Sequence, residues 1–557
     1  MAEPVQSARL PRGSDDWEAE LLAVATGSQL YHPKGNVARP VYLILSNRSG
    51  LIRRYGQEGF AQVHQALTTL KRAIEGHLRL ETLLLYADDP DPLAPYGLRP
   101  VVAADPGLVK GLVDDLDAQM EGEGRRIRYL LIVGGDGIVP FHRLPNPIDD
   151  PDTQVLSDNP YGARQADVLL PDRAVGRLPD SERDGVGFLC ALIDTAVEGH
   201  RRPTSGKGAL SALFACFRTS RPSTPDDDGL GYSASIWRKA SRAVFQAIGQ
   251  KGPLRISPPV TYEQFGRTEL PHLSYFNLHG VEDGPNWYGQ RDSLFPADYP
   301  LFPVALRPED IVAVDQANTI VFSEACYGAN VLGKDSATSI ALRLLASRAL
   351  AVVGSTRIAY GAITPPLVGA DLVARHFWEA LQQQMPVGDA LVYARARMAQ
   401  EMQERQGYLD GEDQKTLLSF VLYGDPSLGG AAPSGNGAGL GVGKAVSAPV
   451  ICQRGAGREC HPAPEGLVAA VRERIEDSLP HMAQAQVHTL PARLCNGDCG
   501  HRCALAHPAA KGNGSRNGKW IVTLEKEIPV QGDGAHRQSV KVTVDERGRI
   551  LKMAVSK

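Results

Sequence analysis

A thiol and an imidazole, each placed where an apolar run breaks into glycine, are the residues of this chain best suited to chemistry. Residues 319–330 read T-I-V-F-S-E-A-C-Y-G-A-N. The β-branched run gives way to small residues directly after Cys326, the pattern of a buried strand that delivers a side chain to a loop. Residues 273–280, L-S-Y-F-N-L-H-G, repeat that design and end on His279 and Gly280. A free thiol is only a few per cent ionised near neutral pH, and a neighbouring imidazole raises its thiolate fraction and makes it an attacking group. The main-chain amides of Gly280 and Cys326 are candidates for an oxyanion hole, because glycine lets a substrate carbonyl approach the backbone closely. The competing reading is a buried cysteine acting as a small hydrophobe beside a hydrogen-bonded loop histidine. Pattern alone leaves both open.

The elements that must position this pair alternate between strand and helix. Residues 41–46 (V-Y-L-I-L-S), 82–86 and 127–134 read as buried strands, separated by helical spacing over 58–75 and 106–120. That rhythm indicates βαβ units and a mainly parallel sheet, whose ligands gather at the C-terminal ends of strands. An irregular, proline-rich stretch, 135–179, is long enough to line a site. A helix over 182–200, a strand over 210–216, a helix over 233–248 and an extended piece near Ile256 restart the rhythm. After Cys326 come helices over 336–347, 367–385 and 388–403, a strand over 349–355, and the closing 417–428, L-L-S-F-V-L-Y-G-D-P-S-L.

Composition bounds the class. The 557 residues predict several domains, and 59 basic against 63 acidic residues give a net charge of −4, which argues against nucleic acid or a membrane surface as partner. The start of the sequence lacks the apolar core of a secretion signal, so a cytoplasmic location is expected. Five segments are expected: a leader over 1–40, an N-terminal α/β subdomain over 41–205, a catalytic subdomain over 206–428, a glycine-rich linker over 429–447, and a cysteine-rich α+β module over 448–557. In that module Cys452, Cys460, Cys495, Cys499 and Cys503 supply soft ligands for a structural zinc, although none of the spacings is the usual C-x2-C knuckle; reduced or oxidisable thiols are the alternative. No other cofactor is expected.

The pair N-L-H-G and S-E-A-C-Y-G resembles the catalytic signature of caspase-like cysteine peptidases. The wider order of segments resembles the gingipain-like family: L-L-I-V-G-G-D-G-I-V-P-F, S-D-N-P-Y-G followed by V-G-R-L-P, A-V-V-G-S-T, and Y-G-D-P-S-L. The resemblance spans about 41–428 and implies a caspase/gingipain-like α/β fold in two subdomains. It implies a peptide-bond hydrolase in which Cys326 attacks and His279 protonates the leaving amine, with Gly280 and Cys326 as the oxyanion hole. It also implies Asp158 as the carboxylate that reads a basic side chain, arginine with lysine as the second option, and Tyr360 as an aromatic lid. Glu324, two residues before Cys326, lies on the same strand face and is a candidate substrate-binding or orienting group. Protein substrates, a bacterial proteolytic cascade, a zymogen blocked by its C-terminal module and an upstream activating protease complete the expectation. An inactive, protein-binding homologue is the alternative.

Overall fold

The computed structural model describes residues 38–102, 104–164, 167–202, 229–249, 252–267, 269–312, 318–430, 451–452, 466–494, 516–532, 534–545 and 547–557. The expected strand over 210–216, nearly all of the leader and linker, and Cys460, Cys495, Cys499 and Cys503 lie outside the described residues; Cys452 is described only as backbone.

Ten strands form the central sheet: β1 (Arg39–Ser46), β2 (Glu81–Tyr86), β3 (Arg125–Val133), β4 (Ala174–Leu178), β5 (Leu230–Ala234), β6 (Leu254–Ser257), β7 (Leu273–Asn277), β8 (Ile320–Ser323), β9 (Ala351–Ser355) and β10 (Phe420–Gly424). Their order is β2-β1-β3-β4-β10-β9-β8-β7-β5-β6. All neighbours run parallel except β9 and β10. The sheet is thus two parallel five-stranded halves that run in opposite directions and join at one antiparallel pair. Central strands such as V-Y-L-I-L-S are buried on both sides, which is why they read as continuous apolar runs rather than alternating ones. The last body strand, β10, returns to pair with β4, so the two expected subdomains share one sheet.

Two elements differ from expectation. The helix expected over 233–248 opens as strand β5, because residues 230–234 are held between β6 and β7 with every side chain buried; the helix is Arg238–Phe245. The closing stretch 417–428 begins in the end of helix Gly411–Ser419, started by a capping box at Asp410 and Asp413, and continues as β10.

The C-terminal module holds helix Leu467–Glu476 and strands β11 (Gln486–Leu494), β12 (Arg516–Pro529), β13 (Ala535–Val544) and β14 (Ile550–Ser556). The four strands belong to a six-stranded sheet with Ile451–Cys452 at one edge and the body's short strand Tyr360–Gly361 at the other. The module's core is also shared: Val471, Val540 and Val542 pack in one cluster with Trp237, Phe302 and Ile363 of the body. No described helix is long and apolar enough to cross a membrane.

Candidate active site

β7 and β8 are adjacent and parallel, with Phe322 opposite Tyr275, so the segments that follow them emerge at the same end of the sheet. His279 and Gly280 continue from β7 into a small antiparallel pairing with Trp287–Tyr288. A Cβ placed on Gly280 would run into the Cys326 carbonyl, which shows how closely the two turns abut and why glycine is needed there. Tyr327, directly after the thiol, sits at φ 55°, a left-handed backbone uncommon for a residue with a side chain. Its hydroxyl donates to Asp152 Oδ1 at 2.8 Å.

His279 is fully buried. Its Nε2 lies 2.7 Å from Gln290 Oε1, and its ring packs 4.3 Å from Trp237, 4.5 Å from His536 and 4.9 Å from Phe302, centroid to centroid. With Gln290 accepting from Nε2, the neutral ring keeps its proton there and presents a bare Nδ1, which has no hydrogen-bond partner among the described residues. Burial, followed by the nearby His536, holds the imidazolium well below its usual range; Lys557's charge adds to the lowering.

Cys326 is 2% exposed. The amide of Ala359 donates to Sγ at 3.3 Å, and Sγ in turn lies 3.6 Å from the Ala359 carbonyl. Burial pushes the thiol up to about 12, aided by Asp152, while the Ala359 amide, the Lys415 ammonium and the Lys557 main chain oppose the rise. Cys326 is therefore held as a thiol in this arrangement.

The proline-rich loop reaches the site through Asp150 and Asp152. Lys415 Nζ is buried between them at 2.5 Å from each; Tyr360 donates to Asp150 at 2.9 Å and the Ile358 amide to Asp152 at 2.9 Å. This network fixes the segment 358–361 beside Cys326. Tyr360 is itself fully buried, with its hydroxyl committed to Asp150, so its ring packs inside instead of covering the site as a lid.

Asp158 stands apart. Its Oδ1 and Oδ2 accept from Arg177 Nη2 at 2.6 Å and Nε at 2.8 Å, a bidentate pair buried on both sides. Arg177 is further bound by the carbonyls of Gly134 and Val139 and lies over the Phe141 ring. The expected reader of a basic substrate side chain is thus occupied by an internal guanidinium, a correction that follows directly from this pairing.

Glu324 meets Lys557. Fully buried, it accepts from the Tyr275 hydroxyl at 2.6 Å through Oε1, and its Oε2 lies 3.2 Å from Lys557 Nζ. Asp371, which begins helix Ala370–Gln382, binds the same ammonium at 3.0 Å through Oδ1 and accepts the Ala362 amide through Oδ2. The Trp237 ring lies 4.4 Å from Nζ. Gly361 forms a wall: a Cβ there would meet the Lys557 side chain and Asp371. The Lys557 amide donates to the Ala359 carbonyl at 2.9 Å, and β14 pairs antiparallel with the body, Ser556 opposite Tyr360 and Val555 opposite Gly361.

Gln290, Trp237, Asp371 and Lys557 were not singled out by sequence reasoning. Trp237 lies in a short turn after β5 and Asp371 in an amphipathic helix, and neither position carries a local signal. Residues 295–430 match the family model of peptidase family C25. The matched span holds Cys326, Glu324, the strand Tyr360–Gly361 and Asp371, and begins after His279. Among solved structures, the Arg-specific cysteine proteinase gingipain R is similar at 16% identity over 72% of this chain and 80% of that one, with a TM-score of 0.45. A second solved protease is similar at 10% identity over 96% and 93% of the two chains, with a TM-score of 0.46. No curated protein matches.

Proposed function

We propose that this chain is a cysteine endopeptidase that cleaves proteins after basic residues, with Cys326 as nucleophile and His279 as general acid and base, and that its own C-terminal sheet blocks it. One observation carries the reading. Lys557 lies as a substrate residue would: its ammonium fills a buried pocket of two carboxylates, its amide binds the Ala359 carbonyl beside the thiol, and its strand extends the body's strand Tyr360–Gly361. Strand addition is a general way to present a peptide, since main-chain hydrogen bonds hold it while pockets read alternate side chains.

In the open enzyme, Cys326 Sγ attacks the carbonyl carbon of the basic residue and its proton passes to the bare Nδ1 of His279. The tetrahedral oxyanion is received by the amides of Gly280 and Cys326. His279 then protonates the departing amine, and water hydrolyses the thioester with the same imidazole as base. While β14 is seated, burial keeps the thiol protonated and the groove filled. In this reading an upstream protease releases the sheet, as in a zymogen of a bacterial cascade.

The test uses Lys557→Ala chain and fluorogenic peptides ending in Arg, Lys, Asp or Leu. Turnover of basic peptides is expected, with a loss of at least about 10³-fold on adding Cys326→Ala. Turnover that survives Cys326→Ala, or preference for the Asp peptide, would sink the proposal. A chain inert toward every peptide with an intact, alkylatable Cys326 would instead point to a protein-binding homologue.

A further inference from the structure

We infer that Glu324, Asp371 and the Trp237 ring form a specificity pocket built for lysine in preference to arginine. The inference rests on the peptidase reading above and names the residues that choose its substrates.

The argument lies in which oxygens are free. An arginine guanidinium is a planar fork that binds best when one carboxylate offers both oxygens edge-on, whereas a lysine ammonium is a compact charge with three donors pointing apart. Glu324 commits Oε1 to the Tyr275 hydroxyl at 2.6 Å, and Asp371 commits Oδ2 to the Ala362 amide at 2.5 Å. Each carboxylate therefore turns a single oxygen, Oε2 and Oδ1, toward the cation. Neither can present a two-oxygen face. Two single oxygens on different elements, 3.2 and 3.0 Å from Nζ, suit an ammonium, and the Trp237 face at 4.4 Å takes up its remaining side. The protein itself shows the contrasting arrangement: Asp158 gives both oxygens to Arg177.

Length adds to the choice. Lys557, Glu324, Asp371 and Trp237 are all fully buried, and the Gly361 backbone lies so close to Lys557 Cε that the pocket lacks space even for a methyl group at that wall. A guanidinium, longer and wider than an ammonium, would have to displace Asp371 or the indole. Balance of charge is also consistent: burial and the neighbouring Asp371 push Glu324 up to about 8, and the lysine opposes that rise, so the pocket holds one cation without two bare buried anions.

The experiment has two arms. In the full chain, the rate at which iodoacetamide alkylates Cys326 reports how well residue 557 seals the groove. Lys557→Ala should raise that rate about 100-fold and Lys557→Arg at least 10-fold, and protection by arginine equal to that by lysine would overturn the inference. In the Lys557→Ala chain, kcat/KM for peptides ending in Lys should exceed that for Arg by at least 10-fold. Asp371→Asn should lower the Lys value about 100-fold, mainly through KM. Trp237→Phe, which keeps the packing, should lower it about 3-fold, and serves if Asp371→Asn fails to fold. Equal or better cleavage after Arg would overturn the pocket while leaving the peptidase reading intact. Absence of all turnover would instead defeat the peptidase reading, and the alkylation arm would still decide whether the pocket prefers lysine.

Discussion

Two buried carboxylate–cation sites in this molecule look alike in sequence terms and differ in kind. Asp158 meets Arg177 inside the body, with both partners on segments of the N-terminal half and the guanidinium further tied to Gly134 and Val139. Glu324 and Asp371 meet Lys557, a cation delivered by a different module on a strand that only edges the body. The first pair closes within one unit and is a fixture. The second can be vacated and refilled. What separates a structural ion pair from a recognition site here is who supplies the cation, and acidity or burial does not tell them apart.

The largest effect that tests this contrast falls on the fixture. Asp158→Asn strands a buried guanidinium and is expected to cost about 3–5 kcal/mol of stability, read as a fall in urea midpoint, while leaving the Lys-to-Arg preference of the opened enzyme where it was. A shift in that preference would make Asp158 part of the reading machinery and erase the distinction. Next in size is the replaceable site. Lys557→Met keeps the length and removes the charge; it should raise the rate of Cys326 alkylation about 100-fold, equivalent to about 2.7 kcal/mol of lost sealing, whereas Asp158→Asn should leave that rate alone.

The smallest effect is a pH dependence at the same seam. His536, buried against His279 and Phe302, is lowered to about 3 by burial and by His481. Its ordinary value is 6.5, so its contribution is fully present above pH 6.5 and is lost as pH falls toward 3. At pH 5 the loss is about 2 kcal/mol. His279, lowered in the same direction, adds to it. Thermal unfolding from pH 7.5 to 5 should show the decline, and His536→Gln should flatten it; an identical slope in the variant would place the titration elsewhere.

The parallel sheet was legible because buried central strands write themselves as apolar runs, and the thiol and imidazole because each follows such a run. Even there the reading had limits: the antiparallel joint at β9 and β10 depends on β10 returning across the whole body, which no local pattern encodes. Asp158 was misread because a carboxylate in S-D-N-P-Y-G shows its acidity but not that Arg177, nineteen residues on, is aimed at it. Glu324 was identifiable by its spacing from Cys326. Asp371, Trp237 and Lys557 were not, since the pocket is assembled from three body segments distant in sequence and its occupant comes from a fourth, at the end of β14.

Lys552, on that same strand, is sealed among Asp410, Glu412 and Asp413, bonding Asp410 at 2.6 and 2.7 Å and Asp413 at 2.8 Å. With the lysine present, Asp410 is held down to about 2, while burial and Asp410 already push Glu412 up to about 7. Were β14 to leave, Asp410 would lose the Lys552 ammonium that holds it down and would bind a hydrogen ion more readily. At Asp410, opening the groove is thus coupled to proton uptake, with the same sign as the histidine seam, so an acidic compartment would favour the unlatched chain and a neutral one would favour its return.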